Sequence, residues 1–327
     1  MRRLPLLLVA LLLPACAPTS VTFTFGDRDD PLRKTPVIED KNAGAEIALI
    51  DIRGTLVDAA RPGLFSPGVS PVDELVSRLK MAEEDDAIKG VVLRINSPGG
   101  SVTASDIMYN EVRRFCETTR KPVIASFGEV AASGGYYLAL ACDEIIAQPT
   151  SITASIGVII PTVNVSDGLR RIGIVARSVK SGANKDLANP LEPIRESQYA
   201  VLQGMVDEFY QRFRSLVVSR RPGLDPSRVD DLTDGRVVTG AEAVRVGLAD
   251  REGDLRDAFT RAKELAKVPS ARLVRYHSPD TRPRSPYSPV ADGPAPAGTE
   301  INLFHLDLDA TAFTGTNAYY LWSPVLQ

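Results

Sequence analysis

Histidine is almost missing from this chain. Its 327 residues include two, His277 and His305, both in a proline-rich C-terminal region that reads as poorly structured. A serine is a weak nucleophile until a base takes its proton, so serine chemistry here needs a base other than imidazole. Cysteine is scarce too, with Cys16, Cys116 and Cys142, and no Cys/His spacing fits a metal centre. Charge of one sign is also lacking. The net charge is −3 with both signs mixed along the chain, and no basic stripe with interleaved aromatics argues for nucleic acid. What remains is ordinary globular material, 44% hydrophobic and 24% charged, enough for a sizeable core.

The N-terminus reads as a leader. Met1-Arg2-Arg3 is a short basic region, and Leu4 to Leu13 is an apolar run of secretory length, too short to cross a bilayer as a helix. Leu13-Pro14-Ala15-Cys16 then resembles a bacterial lipobox, with Cys16 as the lipidated residue of the mature protein. Lipidation would hold the chain on an envelope membrane without a spanning segment. The expected layout is a leader over 1–15 and a lipidated tether over 16–44. A catalytic domain follows over 45–270, then a Pro-rich linker with a C-terminal extension over 271–327. Cys116 and Cys142 read as buried, inert thiols.

Within the body, short β-branched runs alternate with helical periodicity. Strands are expected at 45–52, 90–95, 122–127, 144–147 and 172–179, and helices at 72–84, 103–118, 134–141, 197–219, 241–246 and 255–266. Strands separated by glycine-rich turns and helices imply parallel β-α-β crossovers, hence an α/β fold. Between Ser278 and Gly298 lie six prolines, a linker composition. Ile301–Gln327 regains apolar residues, including Tyr319-Tyr320-Leu321-Trp322.

Ser133, in Ala131-Ala132-Ser133-Gly134-Gly135, has the small neighbours that a nucleophile at a sharp strand-to-helix turn requires. Gly134 at the helix start and the Gly99-Gly100 turn are candidate oxyanion donors. Lys185 is the best candidate base. A lysine titrates near 10.4 in water and must be brought to about 7–8 to serve, at a cost of about 4 kcal/mol. Ser155, or more weakly Thr153, is positioned in sequence to orient it. Ser77-x-x-Lys80 matches another Ser/Lys spacing but lies on an amphipathic helix without companion motifs.

Six segments occur in order: Asn96-Ser-Pro-Gly-Gly100, Ala132-Ser-Gly-Gly-Tyr-Tyr137, Ala154-Ser-Ile-Gly-Val158, Ser181-Gly-Ala-Asn-Lys-Asp186, Asp234-Gly-Arg-Val-Val-Thr-Gly240 and Ala243-x-x-x-Gly247-Leu-Ala-Asp250. Over residues 45–268 the set closely resembles the signal peptide peptidase A family. The resemblance implies a single catalytic domain of the Clp protease/crotonase-like fold, with repeated β-β-α units. It implies Ser133 as nucleophile, Lys185 as general base, Ser155 as its orienting partner, and Gly100 and Gly134 as the oxyanion hole. It further implies cleavage of remnant signal peptides and other short apolar peptides without metal or nucleotide, in a homo-oligomeric ring that completes the dyad. The lipobox and the C-terminal extension depart from the family pattern. Two other readings remain at this stage: a non-catalytic, lipid-anchored peptide-binding scaffold on the same fold, and a crotonase-like acyl-CoA enzyme.

Overall fold

The computed structural model describes residues 32–59, 69–279, 281–288 and 318–322. Cys16, the leader, most of the tether and most of the C-terminal extension, including His305, lie outside the described residues. The molecule is built on a mostly parallel sheet. Its parallel strands are β2 (Ala45–Arg53), β3 (Ile88–Ser97), β5 (Val123–Ala132), β6 (Glu144–Ala147), β9 (Arg251–Glu252) and β10 (Ala271–His277). β1 (Arg33–Glu39) runs antiparallel along β10, giving the order β1-β10-β2-β3-β5-β6-β9. β7 (Ile152–Ala154) pairs with the far half of β5, and β8 (Val237–Thr239) pairs antiparallel with β7.

Side-chain alternation sorts the sheet's two faces. Ala48, Ile50, Leu93 and Ala125 point to one side; Ile47, Leu49, Val92 and Ile124 point to the other. The first face is covered by α1 (Pro71–Glu84), α2 (Val102–Thr119), α3 (Gly134–Ala139) and the C-terminal part of α5 (Glu196–Arg220), through Leu75, Met108, Tyr136 and Phe213. The second is covered by α8 (Leu255–Leu265) through Leu255, Ala258, Phe259 and Ala262. Helix starts follow sequence chemistry. Ser70 caps α1 ahead of Pro71, Ser101 caps α2 through the Ala104 N–H at 3.2 Å, and Asp254 with Asp257 forms a capping box on α8.

Three sequence expectations change, and one helix carries a partly exposed apolar stripe. Ile172–Val179 is not a strand: β-branched content alone does not make one without a neighbour to take its backbone hydrogen bonds, and Ile172, Ile174, Val175 and Val179 are exposed. Part of the expected tether is ordered, because β1 finds the open edge of β10. His277 is not in irregular chain but is the last residue of β10, 2% exposed, with Nε2 at 2.9 Å from the Thr35 hydroxyl. The long helix α5 buries Leu202, Phe213 and Val217 but leaves Val201 and Met205 exposed, so its apolar stripe is only partly core.

Candidate active site

β5 runs directly into Ser133 and α3. Ser133 has φ 53° and ψ −115°, a left-handed conformation that costs on the order of 1–3 kcal/mol for a residue with a Cβ. Two hydrogen bonds hold it there. Its N–H donates to the Ala154 carbonyl at 2.7 Å, and its carbonyl accepts from the Tyr137 N–H at 2.8 Å. Ala131 and Ala132 are fully buried, so bulkier residues could not pass through this corner. Ser133 itself is 1% exposed, and its hydroxyl makes no hydrogen bond to a described residue.

The second element is the turn after β3. Ser97 pins it by donating its hydroxyl to Gly54 O at 2.6 Å and accepting from the Gly99 N–H at 3.1 Å. The chain then forms β4 (Gly99–Ser101), which is pressed against Leu56 and α3. A Cβ on Gly100 would lie 1.9 Å from the Leu56 carbonyl oxygen. A Cβ on Gly134 would lie 2.3 Å from Ser105 Oγ and 3.2 Å from Gly100 N. A Cβ on Gly99 would lie 2.7 Å from Gly134 N. Glycine is required at Gly100 because backbone meets backbone and at Gly134 because the Ser105 side chain closes in, and the same closeness brings the two amides to one small region.

Ser155 follows directly on Ala154, the residue whose carbonyl holds Ser133. It too has a positive φ of 52°, is buried, and donates its N–H to Arg236 O at 2.8 Å. Thr153, the weaker alternative, gives its hydroxyl to Ala131 O at 2.7 Å and so is committed to the sheet. The Asp234–Gly240 motif supplies β8, the strand that braces Ala154 and Ser155 from outside.

Lys185 and Ser133 differ in burial, the serine being buried and the lysine on the surface. Lys185 lies in a turn over 181–188, and no hydrogen bond joins it to the serine. The neighbouring Asp186 does not pair with it either. The Asp186 carboxylate takes Lys180, Arg195 and the Gln198 amide (2.9 Å), and Lys180 first among them holds it well below the usual carboxylate range. Buried Gln198 also donates to Ala183 O at 2.8 Å, clamping the turn to the start of α5. Sequence reasoning missed Leu56, Ser97 and Ser105. Only Ser97, inside the first motif, carried a signal.

A strand-to-helix serine corner beside converging glycine amides, on a largely parallel sheet, is the Clp protease-like arrangement, and residues 69–160 match the Clp protease family model. Residues 116–269 match the model of peptidase family S49. The chain is 34% identical over 244 residues to a protein from Enterococcus faecium carrying the name signal peptide peptidase SppA, covering 75% of this chain and 70% of that one. It is 34% identical to Protease 4 of Salmonella typhi over 76% of this chain and 38% of that protein, spanning well under half of it. It is 32% identical to the chloroplastic serine protease SPPA of Arabidopsis thaliana over 72% of this chain and 35% of that one. The chain therefore belongs to peptidase family S49, the serine proteases of the signal peptide peptidase A and protease 4 type.

Proposed function

We propose that this chain is a serine endopeptidase that cleaves short apolar peptides, remnant signal peptides among them, at the surface of a bacterial envelope membrane to which lipidated Cys16 ties it. The observation that carries the reading is the strained Ser133 corner with the Gly100 and Gly134 amides converging beside it. Ser133 Oγ attacks the scissile carbonyl while its proton passes to Lys185 Nζ. The two amides donate to the oxyanion, replacing water with fixed dipoles. The lysine then protonates the leaving amine as the C–N bond breaks, and a lysine-activated water releases the acyl group from Ser133.

The exposed position of Lys185 supports completion of the dyad between copies of the chain. Ser155, next to the Ala154 whose carbonyl holds Ser133, is the residue proposed to orient an incoming amine. Exposed Ile172, Val175 and Val179, in the segment leading to Lys185, supply apolar surface for such an assembly. The test is to mix Ser133→Ala and Lys185→Ala proteins, each inactive alone, and allow subunits to exchange. Recovered peptidase activity is expected. No recovery in a verified mixed oligomer would overturn sharing of the dyad between copies.

A further inference from the structure

The turn that carries Gly100 already has a strand lying on it. β11 (Tyr319–Leu321), from the C-terminal extension, pairs antiparallel with β4, Tyr320 opposite Gly100. The Trp322 N–H donates to Pro98 O at 2.8 Å, and the Val102 N–H donates to Ala318 O at 3.2 Å. Hydrogen-bonded pairs alternate along an antiparallel ladder, so the pair between these two, Tyr320 with Gly100, is also one that exchanges both bonds. The Gly100 N–H therefore points at the Tyr320 carbonyl. That carbonyl oxygen lies 2.0 Å from where a Gly99 Cβ would be, and Gly134 N lies 2.7 Å from the same point. The Tyr320 carbonyl thus occupies the Gly100 amide and lies near the Gly134 amide, the two groups assigned to the oxyanion.

The other edge of β11 is also taken. Tyr319 exchanges two hydrogen bonds with Ile159, at 2.9 and 3.0 Å. The segment is the middle strand of three, between walls that otherwise offer open backbone edges. The side chain is held as firmly. Tyr320 is fully buried, stacked on Tyr137 at 5.1 Å, 4.7 Å from the Phe213 ring, with its hydroxyl donating to Phe209 O at 2.9 Å. Tyr137 belongs to α3, the helix that Ser133 opens. An extended peptide that joins these edges by strand addition needs the bonds, and the aromatic pocket, that the chain's own tail holds.

We propose that residues 318–322 are an intramolecular occupant of the peptide groove, and that peptide binds only when they leave it. The inference rests on the reading of Ser133, Gly100 and Gly134 given above. Turnover is then reduced by the fraction of molecules with the tail docked, about tenfold if it is docked nine-tenths of the time. In the full chain, Tyr320→Ala empties the pocket, while Tyr320→Phe keeps the ring and removes only its hydroxyl bond. Three quantities are read for wild type and both variants: amide exchange at Gly99–Ser101, kcat/KM on an apolar peptide, and the thermal midpoint. Tyr320→Ala is expected to speed exchange at Gly99–Ser101 and raise kcat/KM on the order of tenfold, with Tyr320→Phe between it and wild type. Added apolar peptide should restore protection in Tyr320→Ala. A Tyr320→Ala protein with unchanged or lower kcat/KM, or with a lowered midpoint and lost activity, overturns the proposal and makes β11 a fixed part of the scaffold. Faster exchange, peptide-restored protection and no turnover in any form would instead overturn the peptidase reading while sustaining competition for the groove.

Discussion

The chemistry proposed at Ser133 depends on atoms that are absent. At Gly100 and Gly134 a single methyl would strike, respectively, a backbone carbonyl at 1.9 Å and the Ser105 hydroxyl at 2.3 Å. The first obstacle is main chain and cannot turn aside. Gly100→Ala should therefore lower kcat about 10²–10³-fold, the loss seen when an oxyanion donor is removed, measured on peptide turnover with the fold checked by circular dichroism. Ser155→Ala should cut activity strongly and Thr153→Val much less, because the Thr153 hydroxyl is engaged with Ala131 O on the sheet. Of the two thiols expected to be buried, Cys142 is buried and Cys116 only partly so. Both are free, and burial pushes Cys116 up to about 12 and Cys142 well above the ordinary thiol value. A raised thiol value favours the neutral form, so at about pH 8 neither should react with iodoacetamide until denaturant is added. Rapid alkylation of the native protein would contradict this.

Elements position these residues through contacts far from them in sequence. The terminal motif Gly247-Leu-Ala-Asp250 touches nothing catalytic: Leu248 O accepts the Tyr136 hydroxyl at 2.8 Å, and Asp250 binds Arg221 and the Ile145 N–H, so the motif braces α3 and β6. The Lys185 turn is set by α5. Gln198→Ala removes the two Gln198 bonds of the clamp, leaving those of Arg195 to Ala183 O and Asp186, and should lower kcat about tenfold through mispositioning, with little change in unfolding midpoint. An equal loss in both would mark a merely structural role. The clamp also has a defined response to acid. Because the Asp186 carboxyl is held low in the folded state, its contribution is present above the ordinary carboxylate value and is lost only as pH falls through the lowered one. Activity lost near pH 5 does not come from this group. At the sheet, Asp51 accepts Arg275, Arg53 and Arg94, with Arg275 fully buried. Asp51→Ala leaves buried guanidinium charge and should cost about 3–5 kcal/mol by denaturant unfolding.

At the scale of the molecule, much of the fold was legible in the chain because periodicity is local. The strands at 45–53, 88–97 and 144–147 and the helices at 71–84, 102–119, 134–139, 196–220, 240–245 and 255–265 appear within about two residues of their expected ends, whereas β5 runs on to Ala132 and the short helices at 166–171 and 229–232 were not foreseen. Edges were not legible, nor was the interior strand β10, which lies in the segment expected to be linker. β1 and β11 are strands only because a neighbouring edge accepts them, and Ile172–Val179 is not one because no edge does. The site divides the same way. Ser133, Ser155, Gly100 and Gly134 are joined by turns whose small residues can be read in sequence, whereas Lys185 lies on an exposed turn that sequence does not place, and the proposed dyad is completed by another copy. Ile172→Asp with Val175→Asp should therefore yield monomers in sedimentation and abolish turnover while leaving the thermal midpoint unchanged. A fully active monomer would refute assembly as a requirement.

The most direct measurement is to treat the folded, assembled protein with a fluorophosphonate probe and locate the adduct by mass spectrometry, beside Ser133→Ala and Lys185→Ala. Modification of Ser133 alone, lost in both variants, is the expected result. An unlabelled wild type, or label on another serine, would contradict Ser133 as the activated nucleophile.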